Sequence, residues 1–205
     1  MNHPTPRRSA RLLLLPALLG LLAGCGTEPS RFYTLAPPAE APAPAPPRMP
    51  ERAIGLEPVE IPDYLRRPEM VLRGQGSRLE VLEYDRWGGT LESLITRSLI
   101  RELETASGGR TVLQLPQRRD VEMVNTVEVV IERFEAAQDG PALLDARWRI
   151  YQDRDRPLRF GRTVAEEPVE TPGEPGAVAD ALSRAVTRLA RDIAAALPDG
   201  SGGGV

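Results

Sequence analysis

The sequence predicts an α+β domain: a mostly antiparallel sheet with two helices packed on one face, preceded by a signal peptide and a Pro-rich segment. Two observations carry this. Leu91, Leu94, Ile95, Leu99 and Leu103, and later Val178, Leu182, Val186, Leu189 and Ile193, recur at helical spacing, the mark of helices with one apolar face. Before and between these stretches apolar and polar residues alternate with period two, broken by turn residues, as in strands of a half-buried sheet. Helices so placed relative to a strand meander are expected to cover one side of the sheet.

Residues 1–24 read as a cleaved signal peptide with a lipobox at 22–25. Arg7, Arg8 and Arg11 form a positive opening with no acid to offset it, and Leu12 to Leu22 is apolar apart from Pro16 and Gly20. That run falls well short of the roughly 20 residues a membrane-spanning helix needs; it has the length of a secretory core segment. Small residues then precede Cys25, the only cysteine. The mature chain is expected to begin there, with a diacylglycerol on the sulfur and an acyl chain on the new amino terminus. Several chains anchor firmly where one binds only marginally. Gly26, not Asp, follows the cysteine, which points to the outer membrane, facing the periplasm.

Composition prunes the chemistry. Removing residues 1–24 takes three arginines and no acid, so the net charge moves from −3 to about −6, which leaves no footprint for nucleic acid. His3 is the only histidine and leaves with the signal peptide. Without histidine or a free thiol, Ser-His-Asp and Cys-His catalysis and zinc sites built on those ligands are excluded. The expectation is no enzyme, no cofactor other than the covalent lipid, and no metal.

Residues 25–53 form the lipidated N-terminus. Arg31 to Leu35 is rich in strand formers and reads as an edge strand. The stretch 36–50 holds seven prolines in fifteen residues and reads as an extended polyproline-type spacer. The globular domain spans 54–197. Ile54 to Ile61 alternates, with Pro58 demoting it to an edge strand or one with a bulge. A turn at 62–68 leads to short strands at 69–73 and 78–83. Thr90 is placed to cap a helix running from Leu91 to about Thr105, ended by Gly108-Gly109, and a strand around 111–115 follows.

The clearest strand signal is Val127, Val129 and Ile131, with Phe134 ending the run. Asp139-Gly140 supplies a turn. The return strand sends Leu144, Ala146, Trp148 and Ile150 inward and Asp145, Arg147 and Arg149 outward. A third strand carries Leu158, Phe160 and Val164. After the loop at 171–176 the last helix runs from about Ala177 to Leu197, and 198–205 reads as a disordered Gly/Ser tail.

The ordered series of motifs resembles a known family. Phe32-Tyr33-Thr34-Leu35 is similar to an opening Tyr-Tyr-x-Leu strand, and Val59-Glu60-Ile61-Pro62-Asp63-Tyr64-Leu65 to a Val-x-[Val/Ile/Leu]-Pro-x-Tyr-Leu stretch. Arg67-Pro68-Glu69-Met70-Val71 continues that stretch, and Arg86-Trp87 before Leu91 resembles a Trp-x-x-x-Leu opening the first helix. Val127 to Phe134 and then Trp148 complete it. The chain resembles the ABC-type transport auxiliary lipoproteins, the PqiC-like family, over about residues 30–197, with the 36–50 stretch as an insertion. The resemblance implies a non-enzymatic accessory lipoprotein of a system moving lipids or other hydrophobic compounds between membranes. Its implied partners are a periplasmic protein with Mce (MlaD-like) domains and an inner-membrane ABC or PqiA-like permease, with self-association left open. The alternative is an envelope scaffold or regulatory lipoprotein that activates a cell-envelope synthase.

Asp63, Tyr64 and Leu65, between Pro62 and Pro68, are the candidate partner contacts; the competing reading is a turn whose tyrosine covers the sheet edge. Trp87 and Trp148 are expected in the core, because large aromatics dominate burial in a domain of this size. Glu166-Glu167 is expected to be a solvated acidic pair rather than an acid–base pair.

Overall fold

Strand propensity, period-two patterning and capped helices place ten elements in the computed structural model, which describes residues 28–35, 52–116, 121–153 and 156–198. Residues 1–24, read above as a signal peptide, Cys25, the 36–50 stretch and residues 199–205 lie outside the described residues. The elements are β1 (Arg31–Tyr33), β2 (Arg52–Leu56), β3 (Glu69–Arg73), β4 (Leu79–Trp87), α1 (Leu91–Ala106), β5 (Val112–Gln114), β6 (Glu122–Ala137), β7 (Ala142–Asp153), β8 (Arg156–Glu167) and α2 (Pro175–Ala196). All of them fall in the unit Arg31–Val205.

The long strand β6 organises one eight-stranded sheet. On one side it pairs antiparallel with β7, which pairs antiparallel with β8; this is the expected meander. On its other side the first half of β6 takes β2 and the far end takes β3, both in parallel. Beyond β2 lies β5, also parallel; beyond β3 lie β4, antiparallel, and then β1, parallel to β4. The antiparallel ladders are the longer ones, so the sheet is mostly antiparallel but mixed.

Several expectations shift. The stretch 54–61 is not one strand. It pairs as β2 only to Leu56, and Glu60 then makes a single bridge to Val130. β2 is not an edge, since it lies between β6 and β5 with a register shift at Ala53/Ile54. Pro58 sits beyond the pairing, where its missing N–H costs the ladder nothing. The strand expected to stop at Glu83 continues to Trp87, whose N–H donates to Pro68 O at 2.7 Å. Arg86 and Trp87 thus end a strand rather than open a helix.

The helices begin where their caps are. The Thr90 hydroxyl accepts from the Ser93 N–H at 3.4 Å, and Glu174 accepts from the Ala177 N–H at 2.5 Å with Pro175 in the first turn. Such caps satisfy amide groups that the first turn leaves unpaired. Both helices pack on one sheet face. Ile54, Leu56, Val127, Val129, Ile131, Phe134, Leu144 and Ile150 are buried there against Ile95, Leu99, Leu103, Leu182, Val186 and Leu189. Trp87 and Trp148 are buried, 5% and 8% exposed.

Candidate functional site

The sheet face without helices carries the features that packing alone does not explain. The first is the turn at 62–68. A single 3-10 turn, Asp63–Leu65, closes with the Leu65 N–H on Pro62 O and the Arg66 N–H on Asp63 O, each 3.0 Å. Its tight pitch sends three successive side chains apart. Leu65 enters the core at 3% exposure. Asp63 is exposed, with Arg66 at 3.4 Å. Tyr64 is half-buried and donates its hydroxyl to Glu135 Oε2 at 2.5 Å. The turn does not present Asp63, Tyr64 and Leu65 as one patch.

Glu135 is the centre of this arrangement, and its carboxylate is fully buried. Oε1 accepts from Arg73 Nη2 at 2.8 Å and Nε at 3.2 Å and from Arg133 Nε at 3.0 Å; Oε2 accepts from Tyr64 and from the Phe134 N–H at 3.1 Å. A buried carboxylate persists only when paired and hydrogen-bonded in this way. Burial alone would raise its pKa, but the hydrogen bonds from Tyr64, Arg73 and Arg133 outweigh that and hold it below its ordinary 4.5. Burial and the Glu135 carboxylate raise the Tyr64 hydroxyl well above 10, so both groups keep fixed protonation states near neutrality. The Arg73 guanidinium also sits 6.0 Å from the Tyr64 ring centroid. Tyr64 therefore clamps the turn onto the sheet. No pattern in the sequence marks Glu135, since burial of a charge depends on partners 62 and 71 residues away.

Arg66 joins the turn to the first helix. It donates to Ile61 O at 3.4 Å and lies 3.7 Å from Glu92. Beneath the turn, Val71, Leu79 and Val81 line a shallow hollow of about 320 Å³ with Arg66 and Arg67 at its rim.

The second feature is β8. It is a terminal strand of the sheet, and its apolar residues face solvent: Leu158 is 40%, Phe160 86% and Val164 55% exposed. The inward positions hold Gly161, Thr163 and Ala165. They are small because the Trp148 ring fills the space, with Nε1 donating to the Thr163 hydroxyl at 3.2 Å and that hydroxyl donating to Asp192 at 2.9 Å. Phe160, Pro157, Val130 and Trp148 line a depression of about 600 Å³ rimmed by Glu128, Glu132, Arg147 and Arg149. The outward face expected for Asp145, Arg147 and Arg149 is thus laced with ion pairs. Arg147 bonds Glu132, and Arg149 approaches Glu128 at 3.6 Å. Asp145 is mostly covered by Arg162, which reaches it at 2.6 and 2.8 Å; those hydrogen bonds keep its carboxyl below the ordinary value. Edge strands commonly carry charge and proline to discourage pairing, and an exposed phenylalanine runs against that habit. Glu166 is exposed and Glu167 half-buried, paired with Arg184 at 3.4 Å.

Among the described residues no three His, Cys, Asp or Glu side chains converge as metal ligands, and no helix is long and apolar enough to cross a membrane. The arrangement can bind and position.

Comparisons with known proteins add the family context. The family described as ABC-type transport auxiliary lipoprotein component matches residues 33–194. No curated protein matches. A crystal structure of an uncharacterized protein superposes with a TM-score of 0.67 at 18% identity, covering 83% of this chain and 100% of its own. A Xanthomonas campestris protein of family DUF330 superposes with a TM-score of 0.62 at 16% identity, covering 80% of this chain and 93% of its own. At those identities the likeness is one of fold.

Proposed function

The chain belongs to the ABC-type transport auxiliary lipoprotein family, and from that premise we propose that it is a non-enzymatic outer-membrane lipoprotein subunit of an Mce-type intermembrane transport system. Anchored through lipid on Cys25, it docks the periplasmic Mce-domain component, which an inner-membrane permease or ABC system feeds with lipid or another hydrophobic compound. The observation that carries this reading is the family match over nearly all of the chain that follows the lipobox. The exposed stripe of Phe160 and Val164 on β8 supports it, because a large apolar residue left in water on a sheet edge marks a surface that meets a partner. Asp63 is exposed on the 62–68 turn, which the Tyr64–Glu135 hydrogen bond and buried Leu65 hold in place.

Affinity purification of the lipidated chain, with partners read by mass spectrometry, tests the proposal. The Mce-domain protein and its permease are expected, with their yield reduced by Phe160→Asp. Recovery of a cell-envelope synthase in their place would sink the transport reading. Turnover of an ester or glycoside by the purified chain, abolished by changing one carboxylate, would sink the non-enzymatic one.

A further inference from the structure

We propose that Phe32 is a membrane contact: the exposed phenylalanine of β1 inserts its ring into the leaflet that holds the lipidated N-terminus. The inference rests on the reading of Cys25 as the lipid anchor. Phe32 is 67% exposed, although it lies in a strand whose flanking residues are tied down. Arg31 reaches Asp85 through Nε at 2.7 Å and Nη2 at 3.0 Å, and the Tyr33 hydroxyl donates to the same carboxylate at 3.0 Å. Leu35, on the same alternation as Tyr33, is in the core at 3% exposure. Tyr33 and Leu35 turn toward the core, and Arg31, itself exposed, shares their side of the strand through its pairing with buried Asp85, so the pleat turns Phe32 to the other side. β1 is also the terminal strand at this end of the sheet.

Chain length supplies the occupant. Phe32 is seven residues from Cys25, a distance of at most about 25 Å of extended chain. An exposed aromatic ring held that close to acyl chains embedded in a bilayer gains by entering the interface, where aromatic side chains concentrate. Arg86 lies opposite Phe32 in the β1–β4 register and is paired with Glu69 at 3.7 Å, so the charge beside the ring is already balanced by a neighbour.

The composition provides the experiment. Phe32, Phe134 and Phe160 are the only phenylalanines and Cys25 the only cysteine. The chain from Cys25 onward, made with fluorophenylalanine, is coupled through its thiol to maleimide lipid in phosphatidylethanolamine–phosphatidylglycerol vesicles containing spin-labelled lipid. Fluorine NMR then reads three resonances, assigned with Phe32→Leu and Phe160→Leu. The Phe32 signal is expected to broaden or vanish, with buried Phe134 unchanged and Phe160, exposed on the far edge strand, affected less. A sharp Phe32 signal on coupled vesicles, or a Phe160 signal broadened as much as that of Phe32, overturns the proposal. Because the coupling is chemical, this result is independent of native acylation; mass spectrometry of the cellular protein tests the anchor separately.

Discussion

The indole of Trp148 lies flat against Gly161 on the neighbouring strand, so close that a Cβ at position 161 would come within 2.2 Å of Cζ2. The glycine is required by the ring, not by a backbone angle. Gly161→Ala should therefore force the indole from its bed and destabilise the domain by about 1–3 kcal/mol or more, the usual cost of overpacking. Trp148→Ala should cost about 3–5 kcal/mol, a large share of the roughly 5–15 kcal/mol that keeps a domain folded. Denaturant unfolding of both variants checks this; an unchanged midpoint for Trp148→Ala would mean that the ring is not part of the core.

Removing the Tyr64 hydroxyl tests the clamp. Tyr64→Phe keeps the ring beside the Arg73 guanidinium but deletes a hydrogen bond to a buried carboxylate, for about 1–3 kcal/mol. If the turn is held by that bond, amide exchange at 63–67 should quicken more than elsewhere in the domain. Uniform acceleration would mean that the hydroxyl supports the fold at large and not the turn.

The same carboxylate sets an acid limit. The folded-state pKa of Glu135 is below its ordinary 4.5, so its contribution is fully present above that value and is lost as pH falls through the folded-state pKa. The wild type should lose stability progressively below about pH 4.5. Glu135→Gln should be less stable near neutrality, and its deficit should shrink on acidification. Parallel stability–pH curves for the two proteins would refute the assignment.

What the sequence reveals here follows the range of the interactions. Thr90 and the helix after it are legible because capping and a 3.6-residue period are local. The β6–β8 meander is legible because Asp139-Gly140 joins adjacent strands whose apolar residues alternate, apart from the register shift after Ile131. The parallel pairings of β1 with β4 and of β2 with β6 are not, since each joins segments far apart in sequence with no turn to announce them. In β8, alternation locates the strand, but hydrophobicity misleads about its faces. Phe160 and Val164 look like core residues until Trp148 is seen to occupy the inner side and to demand Gly161, Thr163 and Ala165 there. The candidate site was half legible: the 62–68 turn stood out by its prolines, whereas Glu135 could be found only in three dimensions.

Replacing Cys25 with Ser should leave an unprocessed or soluble form in the periplasm, because it removes the only thiol that could take the lipid. Fractionation with a fatty-acid probe reads the outcome. A wild-type protein that is soluble and unlabelled would remove the anchor on which both the docking role and the Phe32 contact depend.

How far the domain reaches from its lipid turns on β1. Arg31–Tyr33 pairs in parallel with Asp85–Trp87, the Gly88 N–H donates to Tyr33 O at 2.7 Å, and Leu35 is buried. The lipid on Cys25 would then be separated from the sheet only by Gly26 to Ser30, which puts Cys25 at most about 20 Å from Arg31. Were β1 free, residues 26–53 would all be tether, and the Pro-rich stretch alone would add about 45 Å at ~3.1 Å per residue. On the proposed outer-membrane anchoring, a short tether would hold the sheet close to that membrane. Limited proteolysis within 36–50 distinguishes the two. The cut N-terminal fragment should remain bound to the domain in native sizing and separate only under denaturing conditions. Asp85→Ala, which removes the partner of both Arg31 and Tyr33, should loosen it. Release of a soluble domain from the wild type, leaving a lipidated peptide in the membrane, would show that three residues of pairing are too few to hold β1, and the long tether would be the correct description.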